Sequence, residues 1–304
     1  MKTLHIINKA AGGGDVRKAL AKLPPREEIY TAGSYDEAFM KLPFLSSGEM
    51  TEVFVFGGDG TLNRAVSDIM RRGTGKSSVI YPVPTGSAND FYKLLHEKSD
   101  GGMETFPCDV MKVTGLGRDI YGINELNIGF DCGVVANAEK YKRKPFVTGK
   151  FSYILGIAEE FTRKRTTEMN ISLAGSNENT AEINGKFLLF CVANGKYYGG
   201  GFAAAPLANL DDGEFDVVLV DDISRMKFVS LVGAYKKGAH MDAETMGVRE
   251  KFSGLMRYFR SGKIVLTGAD RICVDGEIYP SVGKTITIEN LHRATIVGDA
   301  FFGA

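Results

Sequence analysis

Gly57, Gly58 and Gly60 surround a carboxylate, Asp59, and are followed by Thr61, Leu62 and Asn63, directly behind the apolar run 53–56. Without Cβ atoms such a loop lets a phosphate approach the backbone, and the unpaired N–H groups opening the next helix offer it partial positive charge. Asp59 repels a bare phosphate, so the pattern calls for Mg²⁺ or an ordered water between the two, as metal ions serve in phosphoryl transfer. A tight strand-to-helix turn needs the same glycines for its geometry alone, so this loop decides nothing by itself. Two further segments share its character. One runs Asn8, Lys9, Ala10, Ala11, Gly12 and on through two more glycines; the other, 84–91, carries Ser87, Asn89 and Asp90, all good N-cap types. Later, Asp212-Gly213-Glu214 and Asp275-Gly276-Glu277 set carboxylates beside glycine. Each Asp-Gly is also a turn signal, and carboxylates that converge repel one another unless a cation or hydrogen bonds hold them.

These loops need strands and helices to carry them. Residues 4–7, 28–31, 53–56 and 78–83 read as strands, and 16–23, 35–42, 62–70 and the segment after 91 as helices. Strands alternating with helices predict a parallel sheet whose C-terminal edge gathers the three loops at one crevice. After about residue 108 the rhythm changes to period-2 segments: 109–114, 121–129, 169–173, 187–193, 215–220, 263–267, 272–279 and 285–288. Asn184-Gly185 and Asp275-Gly276 are the hairpin signals among them. Helices are expected at 151–161 and 228–235. The fold class is therefore an α/β N-terminal domain with a parallel sheet, followed by a β-rich C-terminal domain.

With 304 residues, 44% hydrophobic and 24% charged, the chain has room for two domains of ordinary globular composition. Lys+Arg and Asp+Glu both total 37, so no global field draws it to nucleic acid. Cys108, Cys132, Cys191 and Cys273 lack metal or disulfide spacing, and so do His5, His96, His240 and His292. No signal peptide opens the sequence, and no apolar run nears the roughly 20 residues that span a bilayer. A reducing, cytoplasmic setting is expected. Lys140, Lys142, Arg143 and Lys144, with Arg163, Lys164 and Arg165, make two basic runs. They read as a solvated face, with a patch for anionic lipid headgroups at the inner membrane face as the alternative.

Taken together, GGDGTLN at 57–63, PTGSANDF at 84–91, NIGFD at 127–131, DDGEFDV at 211–217 and DGE at 275–277 resemble, in order, the motifs of the diacylglycerol kinase catalytic family. That family includes bacterial soluble lipid kinases and the sphingosine and ceramide kinases. The resemblance implies a nucleotide-binding domain over 1–120, rejoined by the tail 291–304, and a β-sandwich-like lipid domain over 121–290, with ATP in the cleft. It assigns nucleotide contacts to Asn8, Lys9, Ala10, Ala11, Gly12, Thr31, Gly57, Gly58, Asp59, Gly60, Thr61, Leu62, Asn63, Arg64, Ser87, Asn89 and Asp90. It assigns a structural Mg²⁺ to Asp212 and the backbone carbonyls of Asn209 and Glu214, with Asp59 and Asp90 linked to that ion through water. Glu277 matches the general base for the lipid hydroxyl, and Asp275 is the next candidate. Two positions depart from the pattern: Lys9 stands where proline is frequent, and Arg64 where glutamate is general. The function this implies is an ATP- and Mg²⁺-dependent kinase acting on a diacylglycerol-like membrane lipid, with peripheral membrane contact and a homodimer left open. The rivals are an NAD kinase-like enzyme, which shares GGDGT and a feature like Asn124-Glu125, and a silent lipid- or nucleotide-binding regulator. The NDF of 89–91 and the late DGE favour the lipid branch.

Overall fold

In the computed structural model, residues 2–8, 16–23, 29–33, 48–100, 104–142, 144, 147, 149–163, 166–174 and 180–299 are described. Strands β1 (Lys2–Ile7), β2 (Ile29–Gly33), β3 (Thr51–Gly57) and β4 (Ser78–Pro84) lie parallel in the order β2-β1-β3-β4. All seven residues of β3 are buried, as a strand covered on both faces requires. Helix α1 (Val16–Lys22) packs Val16, Ala19 and Leu20 on one face, against Phe54, Phe56 and Tyr81. Helices α2 (Asp59–Arg71) and α3 (Asp90–Lys98) cover the other with Leu62, Val66, Ile69, Phe91 and Leu95. Each such fully buried aliphatic side chain contributes roughly 1.5–3 kcal/mol. The expected helix at 35–42 lies outside the described residues.

Strand β5 (Thr105–Thr114) leads into the second half, and β6 (Ile120–Gly122) pairs back on it. The strand expected over 121–129 is split into β6 and β7 (Glu125–Gly129), because the N–H groups of Ile123, Asn124 and Glu125 all donate to the Asp275 carboxylate. Helices α4 (Phe130–Lys142) and α5 (Gly149–Arg163) follow, then β8 (Thr167–Ala174) and the long β9 (Thr180–Ala193). Asn184-Gly185 is not the hairpin turn expected of it. Both residues lie inside β9, opposite Asn170 and Met169, so the β8–β9 connection falls over 175–179, outside the described residues.

The chain continues through β10 (Phe215–Asp221), α6 (Arg225–Lys237), a two-residue ladder β11 (Met241–Asp242) with β12 (Gly247–Val248), and β13 (Met256–Ser261). It ends in β14 (Lys263–Thr267), β15 (Arg271–Val274), β16 (Glu277–Pro280) and β17 (Ile286–Gly298). Met111, Ile128, Ile171, Phe190, Phe215, Ile264 and Ile288 fill the interior between the antiparallel strands. On the outer face, α4, α5 and α6 pack Phe130, Val134, Phe161, Phe228 and Leu231 against Leu189 and Val220. Strand β17 joins the halves: it runs antiparallel to β14 and β5, bulges between Leu291 and Thr295, then sets Ile296 and Val297 parallel to Val79 and Ile80 of β4.

Candidate active site

The phosphate-type loop forms as its glycines demand, but each glycine answers a different neighbour. A Cβ on Gly57 would stand 2.4 Å from the Thr61 side chain, and one on Gly86 2.4 Å from Gly58 Cα. Thus the 57–61 and 84–90 loops touch backbone to backbone, and the N–H groups of Thr85 and Gly86 both donate to Gly57 O. Gly60, exposed in the first turn of α2, has open space where its Cβ would be. Leu62 and Asn63 are buried in the same helix. Asn8 ties the first loop to the second: its N–H donates to Phe56 O and its Nδ2 to Thr61 Oγ1, at 3.0 and 2.9 Å. Lys9, Ala10, Ala11 and Gly12 lie outside the described residues, and Thr31 is in β2.

Asp59 does not face outward to a cation. Its carboxylate accepts the N–H groups of Asp90 and Phe91 at 3.2 and 3.1 Å, capping α3 from the neighbouring loop. The formal N-cap residue, Asn89, sits in the left-handed region at φ 58°. It spends its side chain closing the loop on Gly86 N–H and O. Ser87 is exposed at the loop tip. Asp90 in turn accepts the Gly200 N–H at 2.7 Å. Burial, then the charge of Asp59, pushes its pKa up to about 6, against the pull of that hydrogen bond.

The segment 197–202 therefore links the nucleotide-type loops to a second site. Tyr198 Oη hydrogen-bonds the Asp131 carboxylate and lies 2.9 Å from Tyr235 Oη. These groups border a cavity of about 450 Å³ between α4, α5 and α6, whose remaining wall is nearly all apolar, including Ile157, Phe161, Phe202, Phe228 and Val232. Burial pushes the Asp131 carboxyl up to about 6 while the Tyr198 hydrogen bond opposes it. Two of the cavity's lining residues, Ile154 and Val229, are exposed. Asp131 is the last residue of the NIGFD motif, so its position was visible in sequence. The tyrosines and the apolar walls come from six separate segments, and only their meeting marks the site.

At the turn between β15 and β16 the two carboxylates of DGE divide. Asp275, at φ 44°, is buried and accepts three backbone N–H groups, from Ile123 and Glu125 at 2.7 Å and Asn124 at 3.1 Å. The Asn63 amide, with its oxygen and nitrogen assigned by hydrogen-bonding, adds a fourth donor at 3.0 Å. Burial pushes Asp275 up to about 6, and the backbone hydrogen bonds oppose it. With both oxygens so engaged, Asp275 fits the role of anchoring the turn rather than that of a base. The Glu277 side chain is one third exposed. Arg64 Nε donates to its Oε1 at 2.7 Å and Tyr279 Oη to its Oε2 at 2.8 Å. Half-burial pushes Glu277 up, but those two hydrogen bonds, with the charges of Arg64 and Arg118, outweigh it and hold the carboxyl below its usual range.

Asp212, the one side chain of the expected metal set, already has partners. Asp212 is ion-paired with Arg260 and accepts the Glu214 N–H at 3.1 Å, while Glu214 Oε2 lies 3.5 Å from the same guanidinium. Arg260 thus supplies the positive charge assigned to Mg²⁺. A divalent ion held by Asp212 and the carbonyls of Asn209 and Glu214 would have to displace it, and Asp59 and Asp90 are turned to backbone N–H groups instead. Among the described residues, no three His, Cys, Asp or Glu side chains are grouped to hold a metal. Of the basic runs, Lys140 pairs with Glu159, Lys142 with Glu139 and Arg163 with Glu159, while Arg143, Lys164 and Arg165 lie outside the described residues. Asn124 and Glu125 are buried, and the Asn124 amide donates to Tyr197 O, so this pair does not present itself to a dinucleotide.

An open parallel sheet with the 57–61 and 84–90 glycine loops in contact at one edge, joined through β17 to an antiparallel sandwich, has the two-part organisation of the family models that this chain matches. Residues 2–113 match the diacylglycerol kinase catalytic domain, and residues 124–292, more than half the chain, match the YegS C-terminal NAD kinase beta sandwich-like domain. The chain belongs to the diacylglycerol kinase catalytic domain family. It is 28% identical over 262 residues to a Staphylococcus haemolyticus protein named, provisionally, as a lipid kinase, covering 82% of this chain and 76% of that one. To a Mycobacterium tuberculosis protein named diacylglycerol kinase it is 26% identical over 261 residues, covering 80% and 81%. A Bacillus anthracis crystal structure, titled provisionally as a diacylglycerol kinase, superposes over 99% of this chain and 96% of its own with a TM-score of 0.66. At 19% identity that likeness speaks for the fold. Among the described residues no helix is long and apolar enough to cross a membrane.

Proposed function

We propose that this chain transfers the γ-phosphate of ATP to a hydroxyl group of a diacylglycerol-like lipid. The observation that carries the lipid part is the apolar cavity under α4, α5 and α6, with one carboxylate, Asp131, among tyrosine hydroxyls. Such a wall suits acyl chain, and the polar end suits the glycerol or headgroup side. The position of the cavity supports the reading further. Helix α4 packs on β15 and β16, whose turn carries Asp275 and Glu277, and the 197–202 segment connects Tyr198 to the Asp90 loop.

In this reading the N–H groups opening α2, beside Gly60, take the phosphates, with Asn8, Thr61 and Ser87 around them. Mg²⁺ enters as the counter-ion of the nucleotide, where it would neutralise phosphate charge. Glu277 accepts the proton of the attacking hydroxyl, and Asp275 fixes the turn that aims it. The 84–90 loop, held to the 57–61 loop, keeps the phosphate end rigid while the acceptor slides in from the rim.

Labelled ATP offered with diacylglycerol in mixed micelles, other lipids, NAD and water tests the assignment. Glu277→Gln keeps shape and removes basicity, so the variant is expected to bind ATP normally and transfer phosphate to lipid at least about 100-fold more slowly. Transfer to NAD and to no lipid would select the dinucleotide enzyme, and transfer to nothing, with ATP still bound, the silent regulator. Equal rates for wild type and variant would remove Glu277 as the base.

A further inference from the structure

The contact between Arg64 and Glu277 joins the phosphate loop to the acceptor side. Arg64 lies near the start of α2, five residues beyond Asp59 and four beyond Gly60, at which an added Cβ would meet open space. Its Nε is 2.7 Å from Glu277 Oε1, and both side chains are partly exposed. A base that takes the hydroxyl proton stands roughly 3 Å from the hydroxyl oxygen. That oxygen stands about 3–3.5 Å from the phosphorus it attacks. A guanidinium in contact with the base is then one side-chain swing from the γ-phosphoryl oxygens. Its planar fork of N–H donors suits phosphate and carboxylate alike.

We propose that Arg64 is a catalytic residue of this chain: it passes from Glu277 to the transferring γ-phosphoryl group when nucleotide and acceptor are both in place. The inference rests on the kinase reading above. The acceptor oxygen forms the new O–P bond, and the bond from the γ-phosphorus to the β–γ bridging oxygen breaks with its electron pair leaving on ADP. The hydroxyl proton goes to Glu277 Oε1. Arg64 on the phosphoryl oxygens offsets the charge that the transfer concentrates there. Its departure also leaves Glu277 a stronger base, since Arg64 is the foremost of the groups that hold the carboxyl down. The others facing it are Tyr279 on its own strand and Arg118 in the β5–β6 connection. Before the substrates meet, the same pair keeps the base occupied.

Arg64→Gln and Arg64→Lys are compared with wild type after matching melting temperatures show the fold intact. Two measurements are read: steady-state transfer across pH, and calorimetric affinity for ADP with and without aluminium fluoride, a planar mimic of the phosphoryl in flight. Arg64→Gln is expected to lower kcat about 100-fold or more with the KM for ATP changed less than about threefold, and Lys to restore part of it. The acidic limb of the pH profile should move to higher pH in Gln. The affinity gained with aluminium fluoride should shrink by at least about tenfold in Gln. An unchanged or raised kcat in Gln, or a fluoride gain equal to wild type, overturns the role of Arg64 and leaves the kinase reading standing. A fluoride gain lost in Gln while wild type phosphorylates no lipid upholds Arg64 and removes the lipid acceptor.

Discussion

Gly60 and Gly86 are both glycines of phosphate-type loops, yet they answer to different things. Gly86 is pressed on Gly58 Cα, whereas Gly60 faces open space. Gly86→Ala should therefore cost stability, about 1–3 kcal/mol, because the backbone of the facing loop must shift. Gly60→Val should leave the melting temperature nearly unchanged and weaken ATP binding, since only an incoming phosphate would meet the new side chain. Thermal melts and calorimetric titration of the two variants check this, and a Gly60→Val protein that binds ATP as wild type does would remove the loop from the nucleotide site. At this scale the sequence displays residue types and spacing, and the fold decides where they point. The glycines, Asp59, Asp212 and Glu277 are legible by type and spacing. That Asp59 caps α3, that Asp212 meets Arg260 and that Arg64 meets Glu277 are contacts across distant segments, and no local pattern carries them.

The elements of the first domain were legible because strand and helix alternate there with clean periods, as β3 and α2 show. Helix α4 was not, because its buried face includes Gly133 and Asn137 among Phe130, Val134 and Ala138. Asn137 donates to Glu160 Oε2 of α5, and a Cβ on Gly133 would be 2.3 Å from the Glu160 carboxyl carbon. A polar, glycine-bearing interface of that kind blurs the apolar stripe that marks a helix. Strand β13, read MRYFRS, escaped for a related reason: its arginines are partly buried in ion pairs, Arg257 with Asp221 and Arg260 with Asp212. The helices over the cavity yield their own test. Ala158, exposed on α5, borders the cavity, so Ala158→Phe should be tolerated by the fold while narrowing the entrance. Transfer to a long-chain diacylglycerol should lose roughly tenfold in kcat/KM, and ATP affinity should stay put. Equal transfer to long- and short-chain acceptors would put the acyl chains elsewhere.

Across the whole molecule, buried carboxylates tie distant parts together: Asp90, Asp131, Asp216 and Asp275 are each raised from 3.8 to about 6, chiefly by burial. A folded-state pKa above the unfolded one means the folded chain binds more protons between those values, so each group lowers stability as pH rises from about 4 to about 6. Asp216 is the cleanest case, buried beneath Tyr258 Oη at 2.6 Å. The stability of wild type relative to Asp216→Asn should fall by up to about 3 kcal/mol between pH 4 and pH 7 in urea titrations. A difference that does not vary with pH would show that Asp216 titrates normally. Strand β17, finally, bears on how such a molecule comes into being. The parallel sheet of the first domain is completed on its β4 side by Ile296 and Val297, synthesised some two hundred residues after β4 itself. At about 5–20 residues per second, that edge waits on the order of 10–40 s on the ribosome. The first domain therefore emerges first and finishes late. During that interval the open edge of β4 is the place where a chaperone, or a neighbouring nascent chain, would pair.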